Sequence, residues 1–97
     1  MTIEEKDAKA KELGATAKVT DGDKVCYFRL PSRMAIGTSL SMLNTDVVQA
    51  CEIIFNDACI REVSDYNHWL NDNELFNGIC GQLQSLIRVK KSTWMTF

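Results

Sequence analysis

The first fifteen residues are polar apart from two large apolar side chains, Ile3 and Leu13, set among helix formers. Thr2-Ile3-Glu4-Glu5 has the form of a capping box, in which the threonine hydroxyl accepts from the Glu5 amide, and Gly14 supplies a left-handed C-terminal residue. A helix is therefore expected here. With so little apolar surface it should dock loosely over residues 1–15. From Thr16 to Leu30 β-branched and aromatic residues flank Asp21-Gly22-Asp23, the signal of a β-hairpin. In its second arm Cys26, Phe28 and Leu30 share one face, expected to pack on helices, while Val25, Tyr27 and Arg29 share the other. Pro31 ends the strand.

The apolar period then lengthens to that of a helix. Ser32 can cap a helix running through Met34, Ile36, Leu40 and Leu43, weakened by Gly37 and two further serines. Thr45 is expected to cap a stronger helix from Asp46 to about Cys59. Its stripe of Val47, Ala50, Cys51, Ile54 and Ala58 is widened by Val48 and Phe55, so it should be covered on more than one side. Ile60 to Leu70 is irregular, with Val63, Tyr66, Trp69 and Leu70 able to pack down. Asn71-Asp72-Asn73-Glu74 is a second capping box, followed by Leu75, Phe76, Ile79, Cys80, Leu83, Leu86 and Ile87 at spacings of three and four. Gly78 and Gly81, inside that helix, are expected to permit close helix packing. Beyond it, Trp94, Met95 and Phe97 have no helix signal and no evident place in a core.

These elements predict an α+β fold: an N-terminal helix, one β-hairpin, then a mainly helical core of about three helices. At 97 residues the chain suits one domain, divided into the loosely docked helix, a folded core over 16–91 and an apolar tail over 92–97. The N-terminal sequence lacks the basic and apolar regions of a signal peptide, and no apolar run approaches a membrane span, so a cytoplasmic location is expected. A net charge of −2 disfavours a domain devoted to nucleic acid. Charge is uneven, however: between Asp46 and Glu74 seven acids face Arg61 alone, and Arg88, Lys90 and Lys91 follow. Such a division can orient copies of the chain or steer a partner of opposite sign, and its plain alternative is two solvated faces.

Candidate chemistry is sparse. Cys26, Cys51, Cys59 and Cys80 fall on predicted buried faces, where thiols are inert, and their wide spacing does not suit a structural zinc site. His68 is the one histidine and would have to serve any cysteine nucleophile. Asp21 with Asp23, and Asp72 with Glu74, are explained by turn and cap roles. Asp65, Asn67, Asn71 and Asp72 form an acidic loop without the glycine and terminal glutamate of a calcium loop. No metal, cofactor or catalytic residue is therefore assigned. What remains is surface for partners, with Trp94, Met95 and Phe97 of the residue types that anchor interfaces, and Arg29 and Arg33 as accompanying charges. The competing role for the tail is to fold back and close the protein's own core.

One resemblance spans Lys24 to Lys91. A strand leading into Leu30-Pro31-Ser32-Arg33, a short helix, the segment Ala50-Cys51-Glu52-Ile53-Ile54-Phe55-Asn56-Asp57-Ala58-Cys59, an acidic break, then Asn71-Asp72-Asn73-Glu74-Leu75-Phe76 and a final amphipathic helix together resemble the tail assembly chaperones of tailed bacteriophages. The resemblance implies a non-enzymatic factor in the host cytoplasm that binds the long helical tape-measure protein, recruits tail-tube subunits and leaves the finished particle. In many members a ribosomal frameshift near the end of the short product appends a second domain, and Lys90-Lys91 lies where a slippery codon run would fall. Three alternatives stand beside it. They are a self-assembling structural or connector protein of a phage or mobile element, a cysteine enzyme using His68, and a nucleic-acid-binding regulator using Arg29, Arg33, Arg88, Lys90 and Lys91.

Overall fold

The Asp21-Gly22-Asp23 turn reverses the chain as expected, with Gly22 at φ 60° and Asp23 at negative φ, the pairing of signs of a type II′ turn that matches strand twist. A computed structural model describes residues 2–87 and 92–97; Arg88, Lys90, Lys91 and the end of the expected 16–91 core lie outside the described residues. The elements are α1 (Ile3–Glu12), β1 (Ala17–Asp21), β2 (Lys24–Phe28), α2 (Arg33–Met42), α3 (Val47–Ala58), a 3₁₀ turn (Arg61–Val63), α4 (Tyr66–Leu70) and α5 (Asn73–Gln84). The fold is α+β, with an N-terminal helix, a two-stranded antiparallel hairpin and a helical remainder.

Local capping explains most of the helix starts. The Thr2 hydroxyl accepts from the Glu5 amide, Ser32 from Ala35 and Asp72 from Leu75. α3 departs from expectation: Asp46, not Thr45, is its cap and accepts from the Gln49 amide. A carboxylate accepts more strongly than a hydroxyl at the positive end of a helix, so the one-residue shift is favourable. The segment expected to be irregular contains the 3₁₀ turn and α4, and it buries Val63 and Trp69.

β2 organises the packing. Cys26 and Phe28 point into a core with Ala35, Cys51, Ile54, Phe55, Trp69, Phe76, Ile79 and Leu83. Phe55 is its centre, its ring 5.6 Å from Phe28, 5.3 Å from Tyr66 and 5.4 Å from Phe76, distances at which aromatic rings attract. The opposite face is buried as well, contrary to a one-sided strand: Val25 and Tyr27 pack with Ala10, Ile60 and Val63. Leu30, expected on the inner face, lies beyond the strand and is exposed.

The far edge of β2 is completed by the chain after α3. The Arg29 amide donates to the Ala58 carbonyl at 2.9 Å, and Ile60 donates to the Tyr27 carbonyl at 2.9 Å. Tyr27 donates to the Ser64 hydroxyl at 2.9 Å, while Val25 donates to Asp65 Oδ2 at 2.9 Å and its carbonyl receives the Asp65 amide at 2.8 Å. Two polar side chains thus stand in for a third strand, satisfying backbone groups that would be costly to bury unpaired.

Two further expectations, on the face α2 buries and on Gly78 and Gly81, are corrected, and the contacts of α1 are specific. α1 is held to the hairpin by the fully buried Ala10 and by Asp7, which accepts from the Tyr27 hydroxyl and from Lys18 Nζ at 3.1 Å. Ile3 and Leu13 are exposed. α2 buries its small side, Ala35 and Ser39, and Ser39 donates to the Ala50 carbonyl at 3.1 Å; Met34, at 81% exposure, and Leu40 face outward, as do Val47 and Val48 of α3. Small residues let the two helices approach closely, which the larger side chains would prevent. Gly78 and Gly81 do not mediate close packing, because a Cβ at either position would meet no atom within 4 Å.

Three outcomes follow from this arrangement. Gly81→Ala should raise stability by about 0.5–1 kcal/mol in chemical denaturation, since it improves helix propensity without a clash. Asp65→Ala should cost about 1–3 kcal/mol, because the buried Val25 amide loses its acceptor. A third concerns pH. Burial, and then the hydrogen bond to Asp7, push Tyr27 from 10.0 up to about 12, so its contribution is full below pH 10 and is lost as pH rises through about 12. The Tyr27 hydroxyl first, and Lys18 next, hold Asp7 below its ordinary 3.8, so that contribution is present above the ordinary value and is lost on acidification below it. Tyr27→Phe should flatten the alkaline limb of a stability–pH curve, and Asp7→Asn should flatten the acid one.

Candidate functional site

The fold places His68, the cysteines, Asp65 and Asp72 in structural roles. His68 Nε2 lies 2.9 Å from Asp21 Oδ2, tying α4 to the hairpin turn, and its ring meets Trp69 edge-on at 5.0 Å. The cysteines contact one another rather than the imidazole. Cys26 and Cys59 lie in the same buried cluster, where the Cys59 thiol first, and burial next, push Cys26 well up, while Cys26 draws Cys59 below its ordinary value against the effect of burial. Cys51 Sγ donates to the Cys80 carbonyl at 3.5 Å, and Cys80 is pushed up to about 12 by burial and then by Cys51. Cys26, Cys51 and Cys59 are buried and Cys80 is half-buried. Among the described residues no cluster of three or more metal-ligating side chains forms. Asp72 is occupied as a helix cap, and Asp65 by the Val25 amide. Both acids of that loop are therefore spent on backbone donors.

A polar hollow of about 660 Å³ is lined by Lys24, Arg61, Ser64, Asp65, Tyr66, Asn67 and His68. Its arginine is engaged within the fold: the Arg61 guanidinium lies 4.2 Å from the Tyr66 ring centroid and donates to the Tyr66 hydroxyl at 3.3 Å. Tyr66 in turn donates to Asn56. These contacts anchor the α3–α4 connection.

The nominated partner residues fall in two places. Arg29 and Arg33 are exposed around the start of α2, where Arg29 Nη2 donates to the Asp57 carbonyl at 3.1 Å and the Asp57 carboxylate accepts from both the Ser32 amide and its hydroxyl. Trp94, Met95 and Phe97 are exposed by 91%, 70% and 113%, so the tail does not fold back to close the core.

Sequence reasoning missed two surface features. Two hollows flank β1. One, of about 440 Å³, lies between the hairpin and α5 and is lined by Val19, Phe28, Ile79, Leu83 and Leu86 among others. The other, of about 410 Å³, lies on the α1 side of the strand and is lined by Asp7, Ala10, Ala15, Lys18 and Tyr27 among others. Alternation within β1 was the one available signal. The hollows themselves arise from distant elements meeting. Among the described residues no helix is long and apolar enough to cross a membrane. Comparison with protein families, with curated proteins and with solved structures finds no match for this chain.

Proposed function

We propose that this chain is a non-enzymatic protein-binding domain that acts as a tail assembly chaperone, holding a long helical tape-measure protein and tail-tube subunits during assembly. The observation that carries the reading is the exposure of Trp94, Met95 and Phe97 beside a core already filled by other residues. Exposed aromatic and methionine side chains lose unfavourable contact with water when a partner covers them, and such residues supply much of the energy of interfaces. The outward-facing Met34, Leu40, Val47 and Val48 add apolar surface on α2 and α3 suited to a partner helix. The cysteines and His68 are engaged in packing and hairpin contacts, which is why a cysteine-enzyme reading is not preferred. The second reading, a self-assembling structural or connector protein, is favoured by one observation: among the described residues β1 pairs on one edge only.

Affinity capture from the native cellular background, with proteins identified by mass spectrometry, tests the first reading. The full chain should retain a long, predominantly helical protein, and a chain ending at Ser92 should lose it. Retention by the truncated chain would remove the tail from the contact. Recovery of the chain alone would favour the self-assembling alternative.

A further inference from the structure

Among the described residues the sheet has two strands, and β2 is enclosed on both edges while β1 is paired on one. In this register Asp21 pairs with Lys24, Val19 with Cys26 and Ala17 with Phe28 across the two-residue turn. Those pairs direct the backbone groups of Ala17, Val19 and Asp21 toward β2, so by the alternation of an antiparallel ladder the amides and carbonyls of Lys18 and Thr20 face outward. Nothing in β1 resists a further strand: it contains no proline, and its one lysine, Lys18, is drawn to Asp7 on the α1 side.

The two hollows lie on opposite sides of this edge strand. A strand added beside β1 would send successive side chains alternately into one and the other. Ser92-Thr93-Trp94-Met95-Thr96-Phe97 fits that requirement: it holds no glycine or proline, it is rich in β-favouring residues, and Met95 and Phe97 share a face while Trp94 occupies the opposite one. Met95 and Phe97 match the apolar α5 side, with Val19, Ile79, Leu83 and Leu86. Trp94 matches the α1 side, where Lys18 offers a cation and Ala10, Ala15 and Tyr27 offer apolar surface.

We propose that the edge of β1 is a strand-accepting site whose occupant is the 92–97 tail of a second copy of this chain, exchanged reciprocally. Among the described residues tail and seat are both open: Trp94 and Phe97 stand free of the body even though Leu86, eight positions before Trp94, lines the seat. Area favours exchange between two copies. Trp94 and Phe97 each bury about 150–250 Å² on docking, so one seated tail covers roughly 800 Å² counting both surfaces. Two such contacts bring the pair to the roughly 1,200–2,000 Å² of stable interfaces. The inference rests on the tail being a binding segment, as in the function proposed above, and adds its seat and its resting occupant; a helical partner would then compete with self-association for the same side chains.

Sedimentation velocity over a concentration series tests this with the full chain. A concentration-dependent dimer is expected, and the chain ending at Ser92 should be monomeric. Trp94→Ala or Phe97→Ala should each weaken self-association by about tenfold or more. Thr20→Pro removes an outward amide without touching the ladder to β2, and it should also give a monomer while circular dichroism stays that of the parent. A synthetic peptide of residues 92–97 added to the truncated chain should slow hydrogen exchange at the Lys18 and Thr20 amides. A dimer that survives truncation would overturn the proposal, as would a full chain that stays monomeric at all concentrations, whether its tail is protected or not. Failure here leaves the capture of a helical partner untouched, because that is read separately with the partner present.

Discussion

The enclosure of β2 is the constraint from which the rest of the structure follows. A five-residue strand in a two-stranded hairpin has one naked edge and two faces to cover, and alone it would be marginal. Here each of those surfaces has a partner: β1 on one edge, the chain from Ala58 to Asp65 on the other, the α3–α5 core on one face and Ala10 with Ile60 and Val63 on the reverse. The path of the chain after α3 is set by the need to bring Ser64 and Asp65 to backbone donors of β2. That same path carries Tyr66 and Trp69 into contact with the main core.

Small residues decide where the helices can approach. Ala10 lets α1 lie directly on Val25 and Tyr27, and Ala35, Ser39 and Ala50 let α2 close on α3. The cost of such close contacts is that larger apolar side chains are turned outward, Met34, Leu40, Val47 and Val48 among them. Apolar surface offered to partners is thus a by-product of how the interior closes. It arises from the same choice of alanine and serine at the helix contacts.

Much of this was legible in the residues themselves. Helix starts at Thr2 and Ser32 and the turn at Gly22 were readable because caps and tight turns depend on a few adjacent positions, whereas the box Asn71-Asp72-Asn73-Glu74 put the last cap one residue before Asp72. The buried face of α2 was not, since hydrophobic periodicity weights Met34 and Leu40 above Ala35 and Ser39, and the latter win through helix contact rather than transfer from water. The burial of Val25 and Tyr27 was equally hidden, because their cover comes from Ala10 and from Ile60, residues distant in sequence. At the candidate site the tail was readable as apolar sequence without an element. The hollows on either side of β1 were not, for they exist where α1, the hairpin and α5 converge.

The asymmetry between the two strands gives the surface its direction. β2 has spent its hydrogen-bonding capacity inside the fold, whereas among the described residues the outward groups of Lys18 and Thr20 in β1 meet no partner, and the hollows that would receive alternate side chains lie beside β1. Helical surfaces of the α2–α3 kind recognise a partner by shape and apolar contact. A strand edge recognises extended backbone and reads side chains by their parity. A segment in which Trp94 opposes Met95 and Phe97 satisfies that parity, so the same chain carries both a strand-accepting edge and an extended segment with the pattern to meet it.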